Sequence, residues 1–186
     1  MDKSDMDLIN DTVAGDLQSY DKLMTRYQEY VYTIAYSFGK TKENALDISQ
    51  DVFLKVYKKM NTFKEKSTFK TWIGKVAYNE GVNWAKKNKK FLYQDDTDDR
   101  KNDLHENNNP EDQMLVSENK ALLLRCLFDL NTKYRLAVVL RYFENMPIKD
   151  IAVSLNCSEG VVKNMLFRSI QKLKNSLPAM QEGVKS

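Results

Sequence analysis

"LNCSEGVVKNMLFRSIQKLK", residues 155–174, is the stretch from which the fold of this chain can be inferred. After Gly160, apolar residues recur every three or four positions, which is the period of an amphipathic helix. The predicted helix carries four basic residues and no acid: Lys163, Arg168, Lys172 and Lys174. The charges of the whole chain nearly cancel, to a net +3 at pH 7. A helix of one sign in such a chain indicates a face for an anionic partner.

The residues before this helix make it the second of a close pair. "MPIKDIAVSLNCSEGVVKNM" predicts a short helix at 148–155, a turn at 156–158 and a second helix at 160–177. Apolar faces packed across so tight a turn make a helix-turn-helix, whose second helix reads the DNA major groove. The alternative on spacing alone is a surface helix with solvated lysines. The candidate DNA-binding residues are Ser158, Glu159, Val161, Lys163, Asn164, Phe167 and Arg168.

Length and composition indicate a soluble globular chain of one or two domains. It has 186 residues, of which 42% are hydrophobic and 30% charged, so it can bury real cores. No apolar run approaches the roughly 18 residues of a membrane span. The first residues, "MDKSDMDLIN", lack the apolar stretch of a signal peptide. We expect a cytoplasmic protein with no membrane insertion of its own.

Residue types suited to catalysis or metal binding are sparse. The two cysteines, Cys126 and Cys157, stand far apart, and His105 lies in an acidic stretch. This pattern disfavours a zinc cluster or a histidine-dependent triad, and no glycine-rich phosphate loop occurs. We expect no enzymatic activity, no metal and no cofactor, with both cysteines reduced and partly buried.

Charge is unevenly distributed along the chain. Residues 64–90 hold eight lysines against two glutamates, whereas residues 94–118 hold nine acids against two basic residues. Helical periodicity without strand-like alternation predicts an all-α chain of two small modules. The expected units are an N-terminal extension (1–16), a first module (17–92), an acidic linker unable to fold alone (93–116), a second module (117–178) and a tail (179–186). Helices are predicted near 8–14, 19–38, 43–60, 69–90, 111–130, 134–143, 148–155 and 160–177.

The predicted helix at 69–90 has one apolar face and one face of lysines, amides and a tryptophan. The second face suits single-stranded DNA, because lysines bind phosphates, amides bind base edges and an aromatic ring packs on a base. Alternatively, the tryptophan covers a neighbouring helix and the lysines are only solvated. The outward set is Trp72, Lys75, Asn79, Asn83, Lys86 and Lys90.

The predicted helix at 43–60 turns a different set of side chains outward: Asp47, Gln50, Asp51 and Leu54. A leucine flanked by acids is not needed there for folding. A single exposed leucine is nevertheless too common to indicate a partner by itself.

Three segments resemble parts of bacterial RNA polymerase sigma factors, in the family's order. "ALDISQDVFLKVYKKM" resembles the polymerase-binding helix of region two. "FKEKSTFKTWIGKVAYNEGVNWAKKNKK" resembles the part of region two that reads and melts the minus-ten promoter element. "YRLAVVLRYFENMPIKDIAVSLNCSEGVVKNMLFRSIQKLK" resembles region four, which binds the minus-thirty-five element. With a linker between them and no region one or three, the layout is similar to that of extracytoplasmic-function (ECF) sigma factors.

This resemblance implies partners and residue roles. It implies binding to core RNA polymerase and promoter DNA, and regulation by an anti-sigma factor. The polymerase-binding residues would be Asp47, Gln50, Asp51, Phe53 and Leu54. The loop at 63–68 would capture a base flipped from the minus-ten element. The minus-ten residues would be Phe63, Lys64, Lys66, Ser67, Phe69, Lys70, Trp72, Lys75, Asn79, Asn83, Lys86, Lys87 and Lys90.

The remaining implied roles concern the linker and the helix-turn-helix. The helix-turn-helix residues named above would bind the minus-thirty-five element. The linker would thread through the polymerase, where we expect its acidic run to mimic RNA: Asp95, Asp96, Asp98 and Asp99.

Two positions depart from the family pattern. Met165 stands where an arginine is usual, which puts one DNA-backbone contact in doubt, and Asn83 stands where an aspartate is usual.

The alternative function is a stand-alone helix-turn-helix regulator, which does not account for the outward acids or the loop before Phe69. An enzyme with a DNA-binding tail would lack catalytic groups.

Overall fold

The computed structural model describes residues 3–88 and 118–176; for residues 118–122 it describes the main chain only. The described part is helical and contains no strand, which confirms the predicted all-α class. The first module contains α1 (Asp5–Val13), α2 (Leu17–Gly39), α3 (Lys42–Lys59), a 3₁₀ turn (Met60–Thr62) and α4 (Phe69–Lys87). The second contains α5 (Glu118–Phe128), α6 (Thr132–Val138), a π-helical turn (Val139–Phe143), α7 (Ile148–Ser154) and α8 (Glu159–Ser176).

The first module is built around α2, which packs against α1, α3 and α4. Its apolar stripe is buried at three- and four-residue spacing, so the helix is held by tertiary packing. Gly81 of α4 is required for the closest approach, because a Cβ there would clash with the Phe38 ring of α2. Thr41 and Thr68 cap α3 and α4, each accepting a main-chain N–H with its hydroxyl.

The second module is a helix-turn-helix supported by α6. Ile151, Leu155 and Val162 are fully buried where α7 and α8 pack together. Asn156 adopts a left-handed φ of 52°, which asparagine tolerates better than most residues, and so turns the chain between the two helices. The Cys157 N–H donates to the Ala152 carbonyl at 3.0 Å and satisfies the end of α7.

Several helix boundaries differ from the predicted ones. The second module's α6 begins at Thr132 and not at Tyr134, because the Asn131 side chain accepts the Lys133 N–H at 3.1 Å and caps the helix earlier. Its π-helical turn was not foreseen. Of the helix predicted at 111–130, the described part is α5, which ends at Phe128. Residues 111–117, Lys90, His105 and the acidic run of the linker lie outside the described residues, and the module boundaries stay predictions.

Arg135 connects the two modules. Its side chain is buried, and Nη1 donates to the carbonyls of Phe128 and Leu130 at 3.0 and 2.9 Å. Nη2 donates to the Ser37 carbonyl at 2.6 Å and to the Thr132 hydroxyl at 3.1 Å. The Ser37 carbonyl lies in the last turn of α2, where helical carbonyls lack an intrahelical donor and carry partial negative charge.

We therefore expect Arg135→Met to lower the free energy of unfolding by about 2–4 kcal/mol, because it leaves buried carbonyls without a donor. Urea denaturation followed by circular dichroism measures the loss. The matched control is Arg141→Met, since Arg141 is exposed and donates to the Met146 carbonyl at 3.1 Å. A loss no larger than that of the control would contradict the role assigned to Arg135.

Candidate nucleic-acid interface

The outward side of α8, here the α8 face, displays the candidate DNA-binding residues together. All seven predicted there are exposed: Ser158, Glu159, Val161, Lys163, Asn164, Phe167 and Arg168. The opposite side of α8 is buried through Val162, Leu166 and Leu173, which fixes the helix on the module. Phe167 is 66% exposed among basic and amide side chains, so its ring is available to a partner.

The start of α8 is ordered by its own cap. The Ser158 hydroxyl accepts the Val161 N–H at 3.4 Å, and the Ser158 carbonyl accepts the Val162 N–H at 3.1 Å. The N-terminal turn of α8 carries partial positive charge, which suits a phosphate or the edge of a base. Met165 is buried, so its side chain belongs to the core and not to the α8 face.

The outward side of α4, here the α4 face, carries the amide and lysine residues of the first module. Asn79, Asn83, Lys86 and Lys87 are exposed and Lys75 is half-buried. The Asn83 side chain donates to Glu80 Oε1 at 3.2 Å, and Glu80 also pairs with Lys55 of α3. Asn83 therefore joins a polar link between α4 and α3 and still reaches solvent.

An aromatic cluster supports the loop that precedes α4. Phe63, Phe69 and Trp72 contact one another with ring centroids 5.5–5.6 Å apart. Phe69 is only 3% exposed, so the expectation that it touches DNA does not fit this structure, because its ring belongs to the core. Trp72 is half-buried and packs on Phe63 of the loop and on Phe69 of its own helix.

The loop itself is largely exposed. Lys64 and Lys66 face solvent, Ser67 is half-buried, and Glu65 has a left-handed φ of 54°. Lys70, just beyond the loop, already has a partner, since its Nζ donates to Glu144 Oε2 at 2.8 Å. Most candidate minus-ten residues thus lie on the α4 face or in the loop before it. The exceptions are Lys70, which points to Glu144, Phe69, which is buried, and Lys90, which lies outside the described residues.

A groove on the first module, here the α3 groove, holds the predicted polymerase-binding residues. Leu46 and Leu54 are 52% and 54% exposed and Phe53 is half-buried. The sequence analysis missed Leu46 and Tyr20, although Leu46 stands eight positions before Leu54 and so shares its face. The groove is lined by Tyr20, Leu46, Asp47, Ser49, Gln50, Phe53 and Leu54, with exposed Asp51 adjacent.

Tyr20 ties α2 to the floor of the α3 groove. Its hydroxyl donates to the Phe53 carbonyl at 2.8 Å. Burial raises the pKa of Tyr20 to about 12, so the hydroxyl stays protonated and keeps this hydrogen bond at physiological pH. The ring also meets Tyr57 edge-on at 5.0 Å. The groove is therefore a fixed surface with apolar walls and a carboxylate rim.

Metal-binding clusters and membrane-spanning helices are not found in the part of the chain that the structure describes. Within residues 3–88 and 118–176, no group of three or more histidine, cysteine or acidic side chains could hold a metal ion. Cys126 and Cys157 are both free, and burial raises the pKa of each thiol. None of the described helices combines the length and apolar character needed to cross a membrane.

Two family models match the chain in sequence order. Residues 23–91 match the model for sigma-70 region 2, and residues 120–173 match the model for sigma-70 region 4. The first match covers the α3 groove and the α4 face, and the second covers the α8 face. Together the two models span well over half of the chain.

Relatives and solved structures agree with these matches. The chain is 26% identical to the ECF RNA polymerase sigma-E factor of Haemophilus influenzae over 181 residues, which cover 94% of this chain and 95% of that protein. It is also 26% identical to the RNA polymerase sigma-H factor of Pseudomonas aeruginosa over 188 residues, 97% of each chain.

The fold is similar to that of CnrH in its complex with the cytosolic domain of CnrY, with a TM-score of 0.70, 19% identity and coverage of 95% and 99% of the two chains. It is also similar to the sigma factor RpoE of Bartonella quintana in complex with the anti-sigma factor NepR, with a TM-score of 0.67, 19% identity and coverage of 87% and 98%. Because regions 2 and 4 follow each other here and the likeness to ECF relatives extends over nearly the whole length, the chain belongs to the sigma-70 family of RNA polymerase sigma factors, in its extracytoplasmic-function group.

Proposed function

We propose that this chain binds core RNA polymerase through the α3 groove and directs it to promoters through the α4 and α8 faces. The observation that carries the proposal is the separation of these surfaces on one chain. A helix-turn-helix presents residues for duplex DNA, while a second module presents both a lysine and amide face and an apolar groove rimmed by acids. A stand-alone regulator needs only the first of these surfaces.

The α3 groove suits a protein partner better than DNA. Asp47 and Asp51 are exposed beside it and would repel phosphates, whereas Leu46 and Leu54 offer apolar area to a helix of the polymerase. Acids at the rim favour a basic partner surface and exclude nucleic acid from the groove. Docking there leaves the α4 face free to meet the promoter.

The α4 face would hold the minus-ten element as a single strand. Lys86 and Lys87 would bind phosphates, Asn79 and Asn83 would bind base edges, and the exposed part of Trp72 would pack on a base or sugar. The lysines of the loop at 63–68 would steer a flipped base towards the aromatic cluster. Flipping costs a few kcal/mol, which contacts elsewhere in the complex must offset.

Regulation by an anti-sigma factor is the second part of the proposal. Two solved structures of similar fold are complexes of a sigma factor or CnrH with another protein, named as an anti-sigma factor in one case. This chain would be held inactive in the same manner in the bacterial cytoplasm until a signal arrives. It would supply binding surfaces and no chemical step, since nucleotide addition belongs to the polymerase.

The docking surface is tested by reversing the charge of its rim. Asp47→Lys combined with Asp51→Lys should weaken binding to core polymerase by about 10- to 100-fold, because two favourable contacts become repulsive. Fluorescence titration of labelled protein with core polymerase measures the affinity.

The matched control for this pair is Glu29→Lys with Asp129→Lys, which makes the same charge change at exposed positions outside the groove. Circular dichroism should show equal helical content in both double variants. If both bind the polymerase as the unchanged protein does, polymerase docking is carried by another surface.

Promoter melting tests the α4 face. Asn79→Ala with Lys86→Ala should leave polymerase binding intact and reduce opening of the minus-ten region several-fold, because contacts to the separated strand are lost. Permanganate reactivity of unpaired thymines reports opening. A template with a pre-opened bubble should restore activity, and Lys58→Ala, an exposed lysine of α3, should have little effect. A defect that persists on the bubble would argue against this role.

The α8 face allows phosphate contacts to be separated from base contacts. Lys163→Ala should weaken promoter binding on all sequences and lower the slope of log K against log salt by about 1. Phe167→Ala should keep the slope and lower the preference for thymine, because an apolar ring senses the thymine methyl group. Replacing thymine by uracil in the upstream element removes that methyl group. The unchanged protein should bind the uracil-containing element more weakly than the thymine-containing one, whereas Phe167→Ala should bind both elements equally well. If uracil weakens binding of both proteins to the same extent, Phe167 makes no contact with the thymine methyl group.

A further inference from the structure

Glu80 of α4 is held between two helices. Its side chain is only 14% exposed and forms an ion pair with Lys55 of α3. The pair lies at the edge of the α4 face, where an acid without a cationic partner would repel DNA phosphates. Because Lys55 balances its charge, Glu80 is a fixed hydrogen-bond acceptor that takes little from the attraction of the α4 face for nucleic acid.

The same carboxylate determines which way the Asn83 amide points. Asn83 Nδ2 donates to Glu80 Oε1 at 3.2 Å, across one turn of α4. An ionised carboxylate only accepts hydrogen bonds, whereas an amide has one accepting end and one donating end. The flipped amide would place two acceptors against each other. The orientation of the Asn83 amide therefore follows from the chemistry of its neighbour.

The oxygen of the Asn83 amide is consequently left for a partner. The side chain is exposed, and within residues 3–88 and 118–176 no protein donor lies at hydrogen-bond distance from Oδ1. Asn79, one turn earlier on the α4 face, is also exposed, and its amide has no hydrogen-bond partner among the described residues. Asn79 can therefore turn either end of its amide outward, whereas Asn83 turns its acceptor outward.

An outward acceptor distinguishes the four bases. Adenine and cytosine carry an exocyclic amino group, at N6 and N4, where guanine and thymine carry a carbonyl oxygen. The amino group donates to an amide oxygen, whereas a carbonyl facing that oxygen leaves both acceptors without a donor. In a melted strand these groups are free of their Watson–Crick partners and can meet a side chain directly.

We propose that Glu80 is a positioning residue that fixes the Asn83 amide, and that Asn83 thereby selects adenine or cytosine at one position of the melted minus-ten strand. The inference rests on the proposed function, because it assigns a base preference to the α4 face. It requires no contact between Glu80 and DNA. Lys55 completes the arrangement by holding the Glu80 carboxylate towards α3.

A selection from randomised DNA measures the preference. Core polymerase carrying the full-length chain is mixed with fork-junction DNA whose non-template minus-ten strand is randomised, and the bound molecules are sequenced. At one position the unchanged protein should enrich adenine or cytosine over guanine and thymine by about 3- to 10-fold, which corresponds to one hydrogen bond. Asn83→Ala should abolish this enrichment and keep the preferences at other positions. If Asn83→Ala alters none of the preferences, or if the position it alters favours guanine or thymine, the proposal is wrong.

Variants of Glu80 separate positioning from structural support. The side chain introduced by Glu80→Gln can accept or donate, so the Asn83 amide is free to flip, and the enrichment should fall to about twofold or less. Adding Asn83→Asp to Glu80→Gln should restore the enrichment, because the new amide donates to the new carboxylate, whose other oxygen accepts outward. A purely structural defect would not be rescued by this second change. Failure of the rescue would show that the orientation of the Asn83 amide is not the cause.

A control variant and two modified bases complete the test. Glu29→Gln makes the same chemical change at an exposed position of α2 and should keep the enrichment. Replacing the selected adenine by purine, or the selected cytosine by 2-pyrimidinone, deletes only the amino group. This deletion should weaken DNA binding of the unchanged protein by the same factor as the enrichment and leave that of Asn83→Ala unaffected.

The remaining outcomes separate this inference from the proposed function. If deletion of the amino group weakens DNA binding of the unchanged protein and of Asn83→Ala equally, the preference belongs to another residue and the inference is wrong. If core polymerase with the unchanged protein shows no base preference at any minus-ten position, the proposed function itself fails.

Discussion

The buried guanidinium of Arg135 sets how the described parts of the two modules sit together. A charge taken out of water is costly unless its donors find acceptors. Here the two terminal nitrogens donate to the Thr132 hydroxyl and to the main-chain carbonyls of Phe128, Leu130 and Ser37. The Phe128 and Ser37 carbonyls lie in the last turns of α5 and α2, where helices leave carbonyls without donors. One side chain therefore satisfies two helix ends that belong to different modules. The relative placement of α2, α5 and α6 follows from that requirement.

The surfaces of the first module differ in charge, and under the proposed function this difference would orient the module between the polymerase and the promoter. The α3 groove has acids at its rim and leucines on its walls, whereas the α4 face and its loop carry lysines and amides. A nucleic acid is attracted to one and repelled by the other, and a basic protein surface behaves oppositely. The Lys55–Glu80 ion pair joins α3 to α4, and the Asn83 side chain donates to the same Glu80 carboxylate. The orientation of the first module would therefore depend mainly on side chains of α3 and α4.

Hydrophobic periodicity and turn residues predicted the helices and their outward faces. Contacts between residues far apart in the chain could not be predicted from the sequence. The helix period in α8 and the turn at 156–158 follow from short patterns that act within a few residues. The resemblance to a family motif places Phe69 among the DNA-binding residues, because a motif identifies positions in the sequence and does not show which side chains are buried. In the structure the Phe69 ring packs in the core, 5.2 Å from the centroid of the Tyr27 ring. Arg135 and Ser37 are 98 residues apart, and Lys70 and Glu144 are 74 apart. No periodicity links such pairs, so the interface between modules had no signal in the sequence.

The contacts seen between the described parts of the two modules are directional. They include the Lys70–Glu144 ion pair, hydrogen bonds to main-chain carbonyls and an edge-on pair of rings. Each such polar contact contributes only about 0.5–1.5 kcal/mol, less than the 1.5–3 kcal/mol of a large buried apolar side chain. A hydrogen bond nevertheless needs its donor and acceptor within about 3 Å of each other and well aligned. Several weak contacts of this kind therefore determine the position of α7 against α4 more narrowly than their summed strength suggests.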